Sequence, residues 1–297
     1  MSSSQNRLNQ IIELPDGRLL GFDRYGSEGG KPLLYCHGGA SSKLDIAFAH
    51  NTLIDYNIDL IAIDRPGIGQ STRQAERTLL DWSQDVRFFL TELDIKKPMP
   101  IIGWSLGGPY AMACAYALPD LIDKMALSGS CGPIGQLDSV KDLDLLLDRI
   151  LFTCPDNLHW TISVLLSIYS ILPKEFVRKD FLNQLKSRFD REIVEAYTKN
   201  EFKSFMQNSL TNNGWGVIDD YIAVKRPWGF PLNAIAAQVH VFHGDDDTLS
   251  PISQAHYLRS HIPKAKLHIV ENQGHFLLNR SLPEFLSCLG LAKESTE

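Results

Sequence analysis

The chain has 297 residues, of which 44% are hydrophobic and 22% are charged, as is usual for a folded protein with a sizeable core. Its formal net charge of −6 and the lack of any basic run argue against a nucleic-acid partner. The longest apolar-rich segment, residues 160–172, is too short and too polar to span a bilayer, so no stable membrane insertion is expected.

The N-terminal part of the chain predicts a hairpin followed by two buried strands. Residues 8–14 and 18–25 flank the turn sequence Pro15-Asp16-Gly17. Apolar runs at 33–36 and 60–63 then have the length and composition of buried strands. Later strands alternate with helical patterns, which predicts an α/β protein with a parallel sheet covered on both faces.

Two turns that follow these buried strands carry polar or glycine-rich sequences. The first is His37-Gly38-Gly39-Ala40, where a tight turn can aim the backbone N–H of Gly39 at developing negative charge, while His37 is interpreted as structural. The second is Asp64-Arg65-Pro66-Gly67. We interpret it as a scaffold turn whose side chains bond local backbone.

The clearest chemical signal is the sequence Gly103-Trp104-Ser105-Leu106-Gly107. It follows an apolar run at 99–102 and precedes a small-residue helical stretch at 108–118. A strand, a sharp turn and a helix in this order project the serine hydroxyl from the carboxyl edge of a sheet. Ser105 is therefore the candidate nucleophile. The N–H of Leu106 would join that of Gly39 in a two-donor oxyanion hole.

The middle of the chain has a different pattern. Residues 124–128 predict another strand, but strand-like runs disappear over 133–233, where leucine and isoleucine recur at helical spacing. We therefore expect a core domain formed by 1–132 and 234–297, with a helical insertion at 133–233. Large side chains of the insertion could line a pocket, although none is assigned to the site: Phe152, Trp160, Tyr169, Phe205 and Trp215.

The C-terminal part supplies a candidate acid and a candidate base. A strand at 239–242 ends in Gly244-Asp245-Asp246-Asp247, and any one of the three carboxylates could orient a histidine. A strand at 266–270 leads to Gly274-His275, which places His275 just beyond a strand end. The histidines within strand-like or helix-like stretches are interpreted as structural: His240, His243, His256, His261 and His268.

The candidate nucleophile, acid and base occur in the chain order Ser, Asp, His. In this order and in its motifs the chain resembles the α/β-hydrolase superfamily over nearly its full length. The matching segments are 37–39, 64–71, 103–107, 244–251 and 274–275. The resemblance implies the α/β-hydrolase fold, with a mostly parallel, doubly wound sheet and an insertion that forms a helical cap over the nucleophile. It also selects Asp247, because the family commonly places its acid three residues after a glycine and four before a proline. Asp246 is the fallback.

The resemblance implies a serine hydrolase with Ser105, Asp247 and His275 as catalytic residues and with Leu106 and Gly39 as oxyanion donors. The expected reaction is cleavage of a small or medium carboxylic ester through an acyl-enzyme, with lactones and thioesters within reach. No metal or organic cofactor is required. The alternatives are a prolyl aminopeptidase-like peptidase, a carbon–carbon bond hydrolase, a hydroxynitrile lyase, or a non-catalytic ligand receptor. The peptidase group often shows Pro-Gly where this chain has Ala40-Ser41.

The expected partner is a small ester-like molecule with an uncharged acyl chain. We expect an apolar pocket above Ser105, with no fixed carboxylate or arginine pair to hold an amino-acid terminus, and we leave a homodimer open. The N-terminus lacks the apolar stretch of a signal peptide. The cysteines are scattered and form no C-x-x-C pair, which favours reduced thiols in a cytoplasmic protein: Cys36, Cys114, Cys131, Cys154 and Cys288.

Overall fold

An eight-stranded sheet organises the chain in the computed structural model, which describes residues 7–133, 140, 143–198, 201 and 206–293. The strands are β1 (Gln10–Glu13), β2 (Leu19–Gly26), β3 (Lys31–Cys36), β4 (Ile58–Ile63), β5 (Met99–Trp104), β6 (Ile122–Ser128), β7 (Gln238–Gly244) and β8 (Lys266–Val270). The helices are α1 (His50–Asp55), α2 (Leu79–Glu92), α3 (Gly107–Ala117), α4 (Leu146–Thr153), α5 (His159–Ile171), α6 (Lys174–Gln184), α7 (Arg188–Ala196), α8 (Trp215–Lys225), α9 (Ile252–His261) and α10 (Leu278–Cys288).

The strand order across the sheet is β1-β2-β4-β3-β5-β6-β7-β8. β2 runs antiparallel to both of its neighbours, and the other neighbouring pairs are parallel. Every residue of β4 is buried, as expected for a strand covered on both faces. The predicted α/β class with a mostly parallel sheet is confirmed.

Apolar side chains form a separate cluster on each face of the sheet. One cluster joins residues of α2 and α3, including Trp82, Phe89 and Tyr110, to inward side chains of the strands. The other contains Leu53 from α1 and Phe285 from α10. Because β3 to β8 run parallel, their carboxyl ends lie at one edge of the sheet, where sites of such folds form.

Local sequence explains where α2 begins. Thr78 Oγ1 accepts a hydrogen bond from the backbone N–H of Asp81 at 3.2 Å, and the Asp81 carboxylate accepts one from the N–H of Thr78 at 2.8 Å. This reciprocal cap satisfies two N–H groups that the first turn of a helix leaves without partners. Apolar residues recur at helical spacing over 78–93, and the observed helix covers this stretch to within a residue at each end.

Helices α4 to α8 lie between β6 and β7. Over the described parts of 133–233 the chain forms helices, short 3-10 turns and irregular segments, and no strand. Phe205, named above as a large side chain of the insertion, lies outside the described residues. Within the described ranges, no single helix has both the length and the apolar character needed to cross a bilayer.

Candidate active site

Ser105 occupies the turn between β5 and α3. Its backbone has φ +54°, a left-handed conformation that is strained for a residue with a side chain. The N–H of Ser105 donates to the carbonyl oxygen of Ser128 in β6 at 2.8 Å, which ties the turn to the neighbouring strand. The residue lines a cavity at the edge of the sheet.

The glycines on either side of Ser105 allow this turn to pack. A Cβ added to Gly107 would lie 2.2 Å from the carbonyl oxygen of Cys36, and one on Gly103 would lie 2.8 Å from the Cβ of Ala111. Side chains at these positions would therefore separate α3 from the strands. Since α3 begins at Gly107, the N–H of Leu106 stands at its N-terminus, where helical N–H groups have no partner within the helix.

Gly39 stands next to Leu106 on the cavity wall. A Cβ at Gly39 would lie 3.2 Å from that of Leu106 and 2.8 Å from the hydroxyl oxygen of Tyr221 in α8. The turn before it is held by Arg65, whose guanidinium donates to the carbonyl oxygens of His37 and Gly38. The two segments expected to supply oxyanion donors are therefore adjacent.

Arg65 is the centre of a fully buried charge cluster. It pairs with Asp220 of α8, which also accepts hydrogen bonds from Arg77 and from the Tyr110 hydroxyl. Arg65, Arg77 and Asp220 each have side chains that are 0% exposed. The scaffold interpretation of segment 64–67 agrees with these contacts, but the expectation that its side chains bond local backbone is wrong for Arg65. Its partners lie 27 to 155 residues away in the chain.

Asp247 and His275 meet at the carboxyl ends of β7 and β8. Asp247 Oδ2 lies 2.9 Å from Nδ1 of His275. The other oxygen of Asp247 accepts the backbone N–H groups of Leu249 and Ser250 at 3.0 and 2.8 Å, which fixes the orientation of the carboxylate. In the same turn, the Asp245 carboxylate accepts the backbone N–H of Gln273 at 3.4 Å, and the backbone N–H of Asp246 donates to the carbonyl oxygen of Gln273 at 3.0 Å. Geometry therefore favours Asp247 among the three carboxylates.

The Asp247–His275 pair shifts the pKa of both groups. Burial by itself would raise the pKa of Asp247 and lower that of His275. Their mutual attraction and hydrogen bond outweigh burial, so the pKa of Asp247 falls below its usual value and the pKa of His275 rises above 6.5. A histidine held in this way accepts a proton more readily, as a general base must.

Asp190 in α7 is a second carboxylate at the histidine, and no pattern in the sequence pointed to it. Its two oxygens accept the backbone N–H groups of His275 and Phe276, each at 2.9 Å. A Cβ on Gly274 would lie 2.4 Å from this carboxylate, so glycine is needed for the approach. Burial raises the pKa of Asp190 to about 6, against the effect of the two N–H groups. The insertion thus holds the backbone of the histidine loop.

The cavity that contains Ser105 and His275 has a volume of about 280 Å³. Most of its wall is apolar, and the insertion contributes most of that wall. The apolar side chains include Leu145, Leu147, Ile150, Ile162, Leu165, Leu166, Phe181 and Met206. Leu146, Ile150 and Leu165 are also exposed to solvent by 55%, 41% and 59%, so apolar surface continues outside the cavity.

Two acidic side chains also line this cavity. Asp148 of α4 accepts a short hydrogen bond from the Tyr221 hydroxyl, and Asp180 of α6 is bonded by Tyr169 and Gln184 at 3.3 and 3.1 Å. The expected apolar pocket is present, but the expectation that no fixed carboxylate lines it is wrong. Of the large side chains named in the sequence analysis, Tyr169 lines this cavity, and Phe152 lines a smaller recess beside Ser105.

His240, His268 and Cys288 form the metal-ligand cluster found among the described residues, with ligand atoms within 4.8 Å of one another. His240 Nδ1 lies 2.9 Å from His268 Nε2, and Lys266 and Lys124 act on His240 electrostatically. The two imidazoles therefore already hydrogen-bond to each other, and the nearby lysines would repel a bound cation. None of the three residues lines the cavity of Ser105.

A family model described as the alpha/beta hydrolase fold matches residues 31–279. The chain is 25% identical over 270 residues to the uncharacterized hydrolase YcgS of Bacillus subtilis, covering 88% of this chain and 90% of that protein. It is 26% identical to a 2-hydroxy-6-oxononadienedioate/2-hydroxy-6-oxononatrienedioate hydrolase of Cupriavidus pinatubonensis, covering 87% of each. The structure superposes on an esterase from Exiguobacterium antarcticum with a TM-score of 0.66 at 19% identity, covering 95% and 98% of the two chains.

The similarity to the esterase shows the fold alone, because the two sequences are only 19% identical. The family match covers most of the chain and agrees with the observed sheet. Its match begins at the first residue of β3 and ends within α10, so it includes the nucleophile turn, the helical insertion and the histidine loop. The names of the family and of these relatives support a hydrolase. The chain therefore belongs to the alpha/beta hydrolase fold family.

Proposed function

We propose that this protein hydrolyses small or medium carboxylic esters through an acyl-enzyme formed on Ser105. The observation that carries the proposal is the meeting of three features at one cavity. They are a serine on a strained strand–helix turn, a histidine bonded to a buried carboxylate, and two adjacent backbone segments that can donate N–H groups.

In the proposed mechanism His275 accepts the proton of the Ser105 hydroxyl as its oxygen attacks the ester carbonyl. Asp247 holds the imidazole in one tautomer and stabilises the imidazolium. The N–H groups of Leu106 and Gly39 stabilise the tetrahedral oxyanion. His275 then protonates the leaving alcohol. A water molecule, activated by the same imidazole, releases the carboxylic acid and restores Ser105.

We propose that helices α4 to α8 act as a cap over this site. Leu147, Leu166 and Phe181 come from three of these helices and face the same cavity as Ser105, which supports the proposal. Their apolar surface suits the hydrocarbon part of an acyl group. A hydrophobic pocket discriminates by only about 1–3 kcal/mol per methylene, so the preference for chain length should be graded.

The lining argues against a doubly anionic substrate of the kind in the name of the Cupriavidus relative. Among the described residues, no lysine or arginine lines the cavity, whereas Asp148 and Asp180 do. A second carboxylate on the substrate would meet negative charge without a cation to pair with it. An ester is therefore a better candidate than a dioate cleaved at a carbon–carbon bond.

The test is fluorophosphonate labelling together with turnover of p-nitrophenyl esters of increasing acyl length. Ser105→Ala should abolish labelling and reduce turnover by about 10⁴-fold or more. Ser260→Ala is the matched control, because Ser260 is an exposed residue of helix α9 and its hydroxyl donates to the carbonyl oxygen of Tyr257. Circular dichroism verifies that both variants are folded.

Several outcomes would redirect the assignment. Full labelling of Ser105→Ala would refute the nucleophile. Faster turnover of proline p-nitroanilide than of any ester would favour the peptidase alternative. A labelled protein that hydrolyses none of these substrates would favour a carbon–carbon hydrolase or a ligand receptor.

A further inference from the structure

Asp148 has an unusual place for a carboxylate. It lies on α4, at the wall of the Ser105 cavity and at the smaller recess that Ser105 shares with Leu106. Its hydrogen bond from Tyr221 uses Oδ1. The Tyr221 hydroxyl in turn approaches Gly39, one of the candidate oxyanion donors. Asp148 is therefore linked to the wall on which the carbonyl oxygen of a substrate would lie.

The charge of this carboxylate is poorly balanced by the protein. Burial raises the pKa of Asp148 to about 6, and the Tyr221 hydrogen bond only partly opposes this effect. Within the described ranges, Asp148 forms no ion pair with lysine or arginine, and His275 is the cation that acts on it electrostatically. At neutral pH most molecules would still carry a negative charge here, close to where a tetrahedral oxyanion forms.

A negative charge at this place is unfavourable for the reaction unless the substrate brings a positive one. Like charges repel more strongly in a cavity that excludes water than in bulk solvent. A cation between Asp148 and the reacting carbonyl would remove that penalty, because it stabilises the carboxylate and the developing oxyanion together. Asp180, the other acidic side chain of the wall, is already bonded by Tyr169 and Gln184.

We propose that Asp148 binds a protonated amine on the acyl part of the substrate, close to the carbonyl carbon. The inference rests on the proposed ester hydrolysis and narrows its substrate class to aminoacyl compounds. The ammonium group would donate to Asp148, and an apolar side chain would occupy the region lined by Leu147, Leu166 and Phe181. The bond cleaved and the acyl-enzyme on Ser105 are those of the proposed mechanism.

The test compares two p-nitrophenyl esters near neutral pH, after subtraction of the rate seen with Ser105→Ala. One is the ester of leucine, and the other is the ester of the same acid with a methyl group in place of the ammonium group. The native protein should prefer the leucine ester in kcat/KM by about 10- to 100-fold, the range of a charge-assisted hydrogen bond. Asp148→Asn should lower this ratio by about 10-fold or more, mainly by slowing the leucine ester.

Asp180→Asn is the matched variant, since it removes the other carboxylate of the same wall and should keep the ratio. An unchanged ratio in Asp148→Asn, or loss of the ratio in Asp180→Asn alone, overturns the assignment of Asp148. If the methyl analogue is hydrolysed through Ser105 and the native protein shows no preference for the ammonium group, this inference fails while the proposed function stands. If neither ester is hydrolysed through Ser105, both fail.

If Asp148→Asn does not fold, inhibition of the native protein by small molecules tests the same ammonium site. Isopentylamine and isopentyl alcohol have the same carbon skeleton and differ in charge. The amine should inhibit hydrolysis of the methyl analogue at a concentration about 10-fold or more below that of the alcohol. Equal inhibition by the two compounds would contradict an ammonium site.

Discussion

Arg65 and Asp220 are as deeply buried as Asp247 beside the Ser105 cavity. The charged groups around Arg65 and the charged groups around the cavity nevertheless have different kinds of partner. In the Arg65 cluster each charged group has an opposite charge: Asp220 pairs with Arg65 and with Arg77, and Lys43 nearby pairs with Asp64. At the cavity, Asp148 and Asp190 are bonded by a hydroxyl or by backbone N–H groups and have no arginine or lysine partner among the described residues.

This difference separates charged groups that stabilise the fold from charged groups that can act on a substrate or on the catalytic residues. A buried ion pair holds segments together and offers little to a ligand, because its opposite charges already pair with each other. Carboxylates without a cation act instead on the groups beside them, here His275 and the space above Ser105. Substitutions of Asp247, Asp220 and Asp190 test that division.

The largest effect is expected for Asp247→Asn. The amide cannot hold the His275 imidazole in the required tautomer, so kcat/KM should fall by about 10⁴-fold, as at the corresponding position of other serine triads. Asp245→Asn and Asp246→Asn are the controls and should remain within a few-fold of the native protein. Equal losses in all three variants would contradict the assignment, and a selective loss in Asp246→Asn would transfer the role to that residue.

The same variant has a pH signature. His275 must be neutral to accept a proton, and its pKa is raised above 6.5 by Asp247. In the native protein kcat/KM should therefore decline as the pH falls through this raised pKa. The remaining activity of Asp247→Asn should decline at a lower pH, because the attraction that raised the pKa is gone.

A smaller effect, on stability instead of activity, is expected for Asp220→Asn. It leaves Arg65 buried without a counter-charge and leaves Arg77 paired only with Asp219 at 3.4 Å, which should reduce the free energy of unfolding by about 3–5 kcal/mol in urea titrations. Asp120→Asn is the control, because its pair with Arg87 is exposed and should contribute no more than about 1 kcal/mol. A loss of similar size in both variants would show that the buried cluster is not structural.

The smallest effect is expected for Asp190→Asn. In the variant an NH2 group replaces one of the two oxygens that each accept a backbone N–H, so one N–H loses its acceptor and the histidine loop should lose its fixed position. We expect kcat to fall by about 10- to 100-fold, the cost of leaving one buried donor unpaired, with little change in KM. A rise in KM at unchanged kcat would indicate a role in substrate binding instead.

Two further variants separate positioning by Asp190 from a general loss of stability. Glu192→Gln lies on the same helix, where Glu192 forms an exposed pair with Arg280, and it should leave both kinetic constants unchanged. Asp190→Glu keeps both acceptor oxygens and should recover part of kcat. If Asp190→Asn lowers only the unfolding temperature, the positioning role is refuted.

How much of the site the sequence predicts depends on how far apart the relevant residues lie. Ser105 could be found because its whole context is local: a strand, two glycines and a helix within a short segment. Asp190 could not. It stands three residues after Ser187, whose hydroxyl caps α7, and among charged neighbours, so the local pattern indicates a solvated first turn of a helix. The one local sign of Asp190 in the sequence is Gly274. The need for glycine at this position becomes apparent only in the structure, where the Asp190 carboxylate packs against it.

The sequence by itself determined the alternation of strands and helices, the turn at Ser105, and the candidate acid and base at strand ends. Hydrophobic periodicity, the steric freedom of glycine and turn-forming residues act over a few neighbouring positions, so they can be read directly from the sequence. Tertiary structure alone decided which carboxylates are buried and what they face. Asp220 reaches Arg65 across 155 positions, and Asp190 reaches His275 across 85. The pKa values and partners of these groups depend on the packing of distant helices, which no local pattern encodes.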